Sequence, residues 1–226
     1  MRVIAVIPAY NEEESLASTV DGLVACCPDI DYLVIDDGSV DGTSRICADH
    51  GYHYLRMPVN TGLSSVFRCG MKYAWRNGYD AVVQFDADGQ HLPEFILPMA
   101  LTLEEQDADI VIASRALAGE APQGLRNAGS KLISWLIRAT TGVIITDPTS
   151  GMRMYNRRMI EMFATGFDVQ PEPDTVALVA RRGRRVVEVP ARMQERQGGE
   201  SYLTLGASVK YMLRTALSIL LYQWLR

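Results

Sequence analysis

Residues 81–91 read Ala-Val-Val-Gln-Phe-Asp-Ala-Asp-Gly-Gln-His, a short apolar run that stops abruptly on two acids. The segment Ala81–Phe85 has the apolar, partly β-branched character of a buried strand. The same arrangement recurs upstream. Val3–Ile7 stops at Pro8 and leads into Tyr10-Asn11-Glu12, and Tyr32–Ile35 ends in Asp36-Asp37-Gly38-Ser39. Tyr52–Arg56, Ile110–Ala113 and Val186–Val189 read as further strands. Helical patterns separate them: Glu12–Cys26 with Asn11 as N-cap, a helix capped by Asp41 and running to Asp49, Thr61–Asn77 closed by Gly78, and Leu92–Gln106 with Pro93 in its first turn. This alternation predicts an α/β fold, a mostly parallel central sheet with helices on both faces.

Beyond residue 114 the rhythm changes. Ala116–Gly124 reads as a loop, Leu125–Thr140 as a helix, Thr146–Arg153 as a polar turn and Pro173–Arg182 as a short helix. Glu195–Ser201 is a polar, glycine-containing loop with the character of a lid. Leu203–Leu225 is an amphipathic helix with Lys210 and Arg214 off its apolar face. The reading divides the chain into a catalytic-type domain over residues 1–202 and a C-terminal helix over 203–226.

The 226 residues carry a net charge of −5, which speaks against a nucleic-acid binder relying on bulk positive charge. The charge is unevenly placed: residues 1–180 carry −11 and residues 181–226 carry +6. A basic tail on an acidic body suits an anionic partner such as phosphate or a membrane surface, or simply a solvated face. The four cysteines form no CxxC pair, so they read as free thiols of a reducing compartment. No signal peptide is evident, and the uncharged stretch Thr215–Leu225 falls short of the ~20 apolar residues needed to span a bilayer.

Ligands of parallel α/β sheets collect at the carboxyl ends of strands, which is where the acid clusters fall. Asp86 and Asp88 have the chemistry of hard-cation ligands, since Mg2+ takes one or two carboxylates together with substrate phosphates. A capped turn with two exposed acids is the plain alternative. Asp36 and Asp37 suit a ribose or base edge, or an Asx turn ahead of Asp41. Tyr10 suits stacking on a nucleobase, or a place in the rim. His91 is read as a loop histidine or as a group near a metal or acceptor. His50 and His53 are expected at the surface, and Trp75, Trp135 and Trp224 in helix packing.

Taken together, Pro8-Ala9-Tyr10-Asn11-Glu12-Glu13, Asp36-Asp37-Gly38-Ser39 and Asp86-Ala87-Asp88-Gly89-Gln90-His91 resemble family 2 glycosyltransferases of the GT-A fold, in particular the dolichol- and polyprenyl-phosphate sugar synthases. Ser114-Arg115, Arg126 with Ser130, Asp147-Pro148-Thr149-Ser150-Gly151-Met152-Arg153, Glu188-Val189-Pro190 and Arg196-Gln197-Gly198-Gly199-Glu200-Ser201 resemble later motifs, and the likeness extends to about Leu205. The resemblance implies that Pro8, Tyr10, Glu12 and Asp37 hold the nucleotide. It implies that Asp86 and Asp88 hold Mg2+ or Mn2+ on the diphosphate, with Gln90 nearby. It places Asp174 as an acid near the reaction centre and Arg115, Arg126, Arg153 and Arg196 on phosphate oxygens, with Asp174, Arg153 and Arg196 the catalytic set. Two departures stand out. Ser201 is followed by Tyr202 where the family often has Lys, and Leu63-Ser64-Ser65 replaces the family's small residues or Lys.

The function implied is inverting, metal-dependent transfer of a sugar from a UDP- or GDP-linked donor to a polyprenyl phosphate, at the inner face of the cytoplasmic membrane. A membrane partner protein and a homo-oligomer are both compatible with it. A saccharide or small-molecule hydroxyl as acceptor is the alternative within the family. A sugar-1-phosphate nucleotidyltransferase is disfavoured by Pro8-Ala9-Tyr10-Asn11 where a Gly-rich, basic segment is expected. A non-catalytic nucleotide-sugar-binding protein is disfavoured by the full set of acids and arginines.

Overall fold

The computed structural model describes residues 1–120, 125–166, 170–194 and 205–221, with the side chains of residues 125, 126 and 205–209 excepted. Seven strands form one sheet: β1 (Val3–Ala9), β2 (Asp31–Asp36), β3 (Tyr54–Arg56), β4 (Ala81–Gln84), β5 (Ile110–Ser114), β6 (Arg153–Asn156) and β7 (Val186–Pro190). Their order is β3-β2-β1-β4-β6-β5-β7, and β6 alone runs antiparallel to its neighbours. Among the described residues eight α-helices accompany it: α1 (Leu16–Cys26), α2 (Thr43–Asp49), α3 (Leu63–Arg76), α4 (Ile96–Glu105), α5 (Leu125–Thr141), α6 (Arg157–Thr165), α7 (Pro173–Arg181) and α8 (Leu205–Leu220).

Strand β1 shows why the sheet has two covered faces. Its alternate residues Val3, Ala5, Ile7 and Ala9 join the core under α1, α2 and α4, whereas Ile4 and Val6 join the core under α3, α5, α6 and α7. A strand buried on both sides reads as an unbroken apolar run, as this one does. Pro8 does not end it: the ladder continues through Pro8↔Ile35 and Ala9↔Asp36. The second core holds an aromatic triad in which Phe67, Tyr155 and Phe163 meet with ring centroids 5.2 to 5.4 Å apart.

Two elements escape the sequence reading. Strand β6 and helix α6 lie in a stretch left without assignment after Arg153. Strand β6 is four residues long, opens on a charged side chain and lacks β-branched residues, so no period marks it. The cap at Asn11 is also corrected. Helix α1 starts at Leu16 after Ser15, and Asn11 instead adopts a left-handed φ of 55°. There its N–H donates to Ser39 Oγ (3.0 Å) and its Oδ1 accepts from Val40 N–H (3.0 Å), tying the turn after β1 to the turn after β2. Asp41 does serve α2, accepting from the Thr43 N–H at 2.9 Å.

The C-terminal helix α8 packs on α5 and α7, with Thr215 and Ile219 buried. Trp135 departs from expectation, standing 63% exposed on α5. The loop 195–201, with Arg196, and Trp224 lie outside the described residues.

Helix α3 lies on β1 with no clearance at Gly70, where an added Cβ would stand 2.5 Å from Val6 Cγ1. Gly70→Ala therefore lowers stability by about 1–3 kcal/mol through overpacking, although alanine is the better helix former by about 1 kcal/mol. Urea unfolding reads the sign.

Candidate active site

Strand β1 has β2 on one side and β4 on the other, so the chain leaves its carboxyl end next to a crevice between diverging connections. A cavity of about 490 Å³ opens there, lined by Pro8, Tyr10, Glu12, Asp37, Asp86 and Asp88 together with Gly62, Leu63 and Val66. Six residues singled out in the sequence thus share one cavity.

The acids differ in how they are held. Asp36 is wholly buried and turned inward: it accepts from Ser39 N–H (2.9 Å) and from the Ser44 hydroxyl, with Arg56 at 3.5 Å. Its role is to build the turn, not to face a ligand. Asp37 accepts from the N–H and hydroxyl of Thr61 and from Gly62 N–H, each at 2.8 Å. It thereby anchors the entry to α3, and three of the roughly four lone-pair positions of a carboxylate are used. Thr61 carried no signal in the sequence beyond its place at a helix start. Glu12 accepts from Ser15 Oγ at 2.8 Å.

Asp86 is held more loosely. Its carboxylate accepts from Gln84 Nε2 at 3.2 Å and is 33% exposed to the cavity side. Asp88 accepts from Gln90 N–H at 3.0 Å, and the Gln90 side chain reaches the Gln194 carbonyl at 3.5 Å. These all-oxygen donors fit a hard divalent cation that completes its shell with water and phosphate. Among the described residues no set of three or more acids, histidines or cysteines gathers that could hold a metal ion by itself.

Arg115 and Arg153 are both engaged by groups of the chain itself. Arg115 is clamped by Asp147, with Nε at 2.7 Å and Nη2 at 2.8 Å, and its backbone N–H adds a bond at 3.1 Å. Glu188 in turn holds that turn through Thr146 N–H (2.7 Å) and Asp147 N–H (2.8 Å). Arg153 is buried and donates to the carbonyls of Ser150 (2.9 Å), Pro148 (2.8 Å) and Pro171 (3.2 Å). It is a clamp on the loops flanking β6. The side chain of Arg126 and all of Arg196 lie outside the described residues.

Asp174 sits in the first turn of α7, where its Oδ1 accepts from Thr175 N–H (2.9 Å) and its Oδ2 from Ser218 Oγ of α8 (2.6 Å). Beside it, Glu172 accepts from the Tyr211 hydroxyl of α8. Burial and the neighbouring Asp174 push the Glu172 carboxyl up, against the opposing pull of Tyr211 and Arg153. Tyr211 is pushed up by burial and by Glu172. Burial pushes the Tyr155 hydroxyl up, against the opposing pull of Arg153. Neither Glu172 nor Tyr211 was marked by the sequence reading, because their pairing joins positions 39 residues apart.

A mostly parallel seven-stranded sheet with an acid-rimmed cavity at the ends of β1, β2 and β4 is the arrangement of the GT-A fold. This fold is shared with glucosyl-3-phosphoglycerate synthase from Mycobacterium tuberculosis, crystallised with Mn2+, UDP and phosphoglyceric acid. That structure aligns at a TM-score of 0.70 with 18% identity over 96% of this chain and 78% of that one. The family model for Glycosyl transferase family 2 matches residues 4–163. The undecaprenyl-phosphate mannosyltransferase of Micrococcus luteus is 38% identical, with 91% of this chain and 89% of that protein covered. The polyprenol monophosphomannose synthase of Mycolicibacterium smegmatis is 32% identical, with 92% and 83% covered. The chain belongs to glycosyltransferase family 2.

Burial alone would raise the Asp147 carboxyl, but the bonds and charge of Arg115 hold it below the usual carboxylate range. Its contribution is therefore complete above the unfolded carboxyl value of ~3.9 and is lost as pH falls through the folded value. The parent should lose stability more steeply below about pH 4 than Asp147→Asn does, read by thermal melts across an acid pH series. Equal slopes would remove the pair from the acid response.

Proposed function

We propose that this enzyme transfers a sugar, with inversion, from a nucleotide-diphosphate donor to a polyprenyl phosphate, and that a divalent cation held by Asp86 and Asp88 serves the donor. The carrying observation is the opening of those two carboxylates, at the end of β4, into the cavity that Tyr10, Glu12 and Asp37 line from β1 and β2. The acceptor class follows from the two relatives, both named for polyprenyl-type phosphate substrates and matched over nearly the whole chain. They make mannose the first sugar to try and a GDP-linked donor the first to set against a UDP-linked one. The Mn2+ and UDP of the structural neighbour show that this fold accommodates such a pair.

Transfer passes through an oxocarbenium-like state as the diphosphate departs. A bound Mg2+ or Mn2+ would offset charge growing on the leaving diphosphate. The protein's own part is positional. Asp37 and the α3 entry it anchors shape the nucleotide end of the cavity, and Tyr10 offers a ring to the base. A phosphate monoester with a second pKa of about 6 is already anionic at pH 7 and needs no base. Asp174, fixed by Thr175 and Ser218, then orients the acceptor rather than taking a proton.

The lipid end has a matching surface. Leu132, Trp135 and Ile144 in and just after α5, and Leu213 and Leu217 of α8 with Leu221 just after it, are exposed apolar side chains, with Lys210 exposed on α8. Among the described residues no helix is long and apolar enough to cross a membrane. The exposed apolar side chains beside Lys210 support peripheral attachment by this face. Vesicles containing anionic lipid should co-sediment the parent and release a Trp135→Ser, Leu217→Gln variant. Unchanged binding by that variant would place the contact elsewhere.

Radiolabelled GDP-mannose with undecaprenyl phosphate and Mn2+ tests the reaction. Asp86→Ala or Asp88→Ala should lower turnover at least about 100-fold, whereas Asp174→Asn should retain a measurable fraction. Full activity of the Asp86 variant in EDTA would overturn the metal role. A null Asp174→Asn would point to a hydroxyl acceptor that needs a base.

A further inference from the structure

His91 follows the Asp86-Ala87-Asp88 turn, yet it does not face the cavity as a free ligand. It is 5% exposed and packs edge-on against Phe85, with ring centroids 5.7 Å apart. The Asp86 N–H donates to His91 Nδ1 at 2.9 Å. A nitrogen that accepts a hydrogen bond carries no proton, so the ring proton resides on Nε2. That N–H stands 3.6 Å from Asp86 Oδ2, a favourable approach that stops short of a hydrogen bond. The other carboxylate oxygen accepts from Gln84 Nε2, a buried amide of β4.

The third wall comes from a different part of the chain. Gly151, in the turn before β6, passes so close that an added Cβ would lie 3.0 Å from Asp86 Oδ2 and 3.4 Å from His91 Nε2. Its φ is not in the left-handed region, so the glycine is required here for clearance and not for backbone freedom. Arg153 fixes this turn from beneath through the carbonyls of Pro148 and Ser150. The backbone of His91 is tied to Met193 by an isolated antiparallel bridge.

From this geometry we infer that His91 and Gly151 are positioning residues that set the orientation of the Asp86 carboxylate for a divalent cation. His91 acts through the Asp86 backbone N–H and the face its Nε2–H presents, and Gly151 acts by leaving the carboxylate room to stand. Outer-shell partners of this kind change metal affinity by about 10- to 100-fold when removed. The inference rests on the metal reading of Asp86 and Asp88 and names the residues that tune it.

Calorimetric titration of the full chain with Mn2+·GDP, and separately with Mn2+·UDP, tests it by affinity alone. His91→Ala should weaken binding by about 10-fold or more. His91→Asn, whose Oδ1 occupies the place of Nδ1 as acceptor, should recover most of that loss. Gly151→Ala should weaken binding without lowering the melting temperature. A folded His91→Ala variant that binds as the parent does would overturn the inference, as would an Asn variant no better than Ala. If the parent binds neither complex, the metal reading of the two acids falls and this inference falls with it. Parent binding with indifferent variants removes the inference alone.

Discussion

Carboxylates crowded at the carboxyl edge of an apolar sheet are costly unless each meets a donor or a cation, and the way each one is satisfied sorts this site. Asp36 is closed off by two serines and Arg56, Asp37 by the start of α3, and Asp147 by the fork of Arg115. Asp86 has only the Gln84 amide at 3.2 Å and the more distant His91 edge among the described residues. Of these four acids Asp86 is the least compensated from within, and it lines the cavity. That contrast gives the metal assignment a physical basis independent of the motif.

The alternation of strands and helices was legible from residue 3 to residue 114 because β1, β4 and β5 are apolar runs buried on both faces, and β1, β2 and β4 end in polar turns. The cavity acids were legible for the same reason: strand ends can be counted in a sequence. Partners cannot. The internal partners of Arg115 and Arg153 were not legible, because residue type and motif say nothing of what lies 32 residues away or which carbonyls a buried guanidinium will find. Strand β6 was invisible because four residues opening on Arg153 carry no period. Trp135 was assigned to packing by its residue type, whereas a face toward a lipid surface leaves such a ring exposed.

The late helix α8 links the two halves of the account. Its inner face gives Ile219 to the core, Ser218 to Asp174 and Tyr211 to Glu172, while Leu213, Leu217 and Leu221 remain outside. One helix therefore touches the acid assigned to the acceptor and carries the apolar face assigned to the membrane.

The central claim is that the ends of β1, β2 and β4 together hold a metal-bound nucleotide diphosphate. Crystals grown with Mn2+ and GDP or UDP, recorded at a wavelength sensitive to manganese, test it in a single difference map. The account predicts an anomalous peak against the carboxylates of Asp86 and Asp88, with the nucleotide base beside Tyr10 and Asp37. Nucleotide bound in the cavity with manganese absent from those two carboxylates, or seated on other residues, would contradict it.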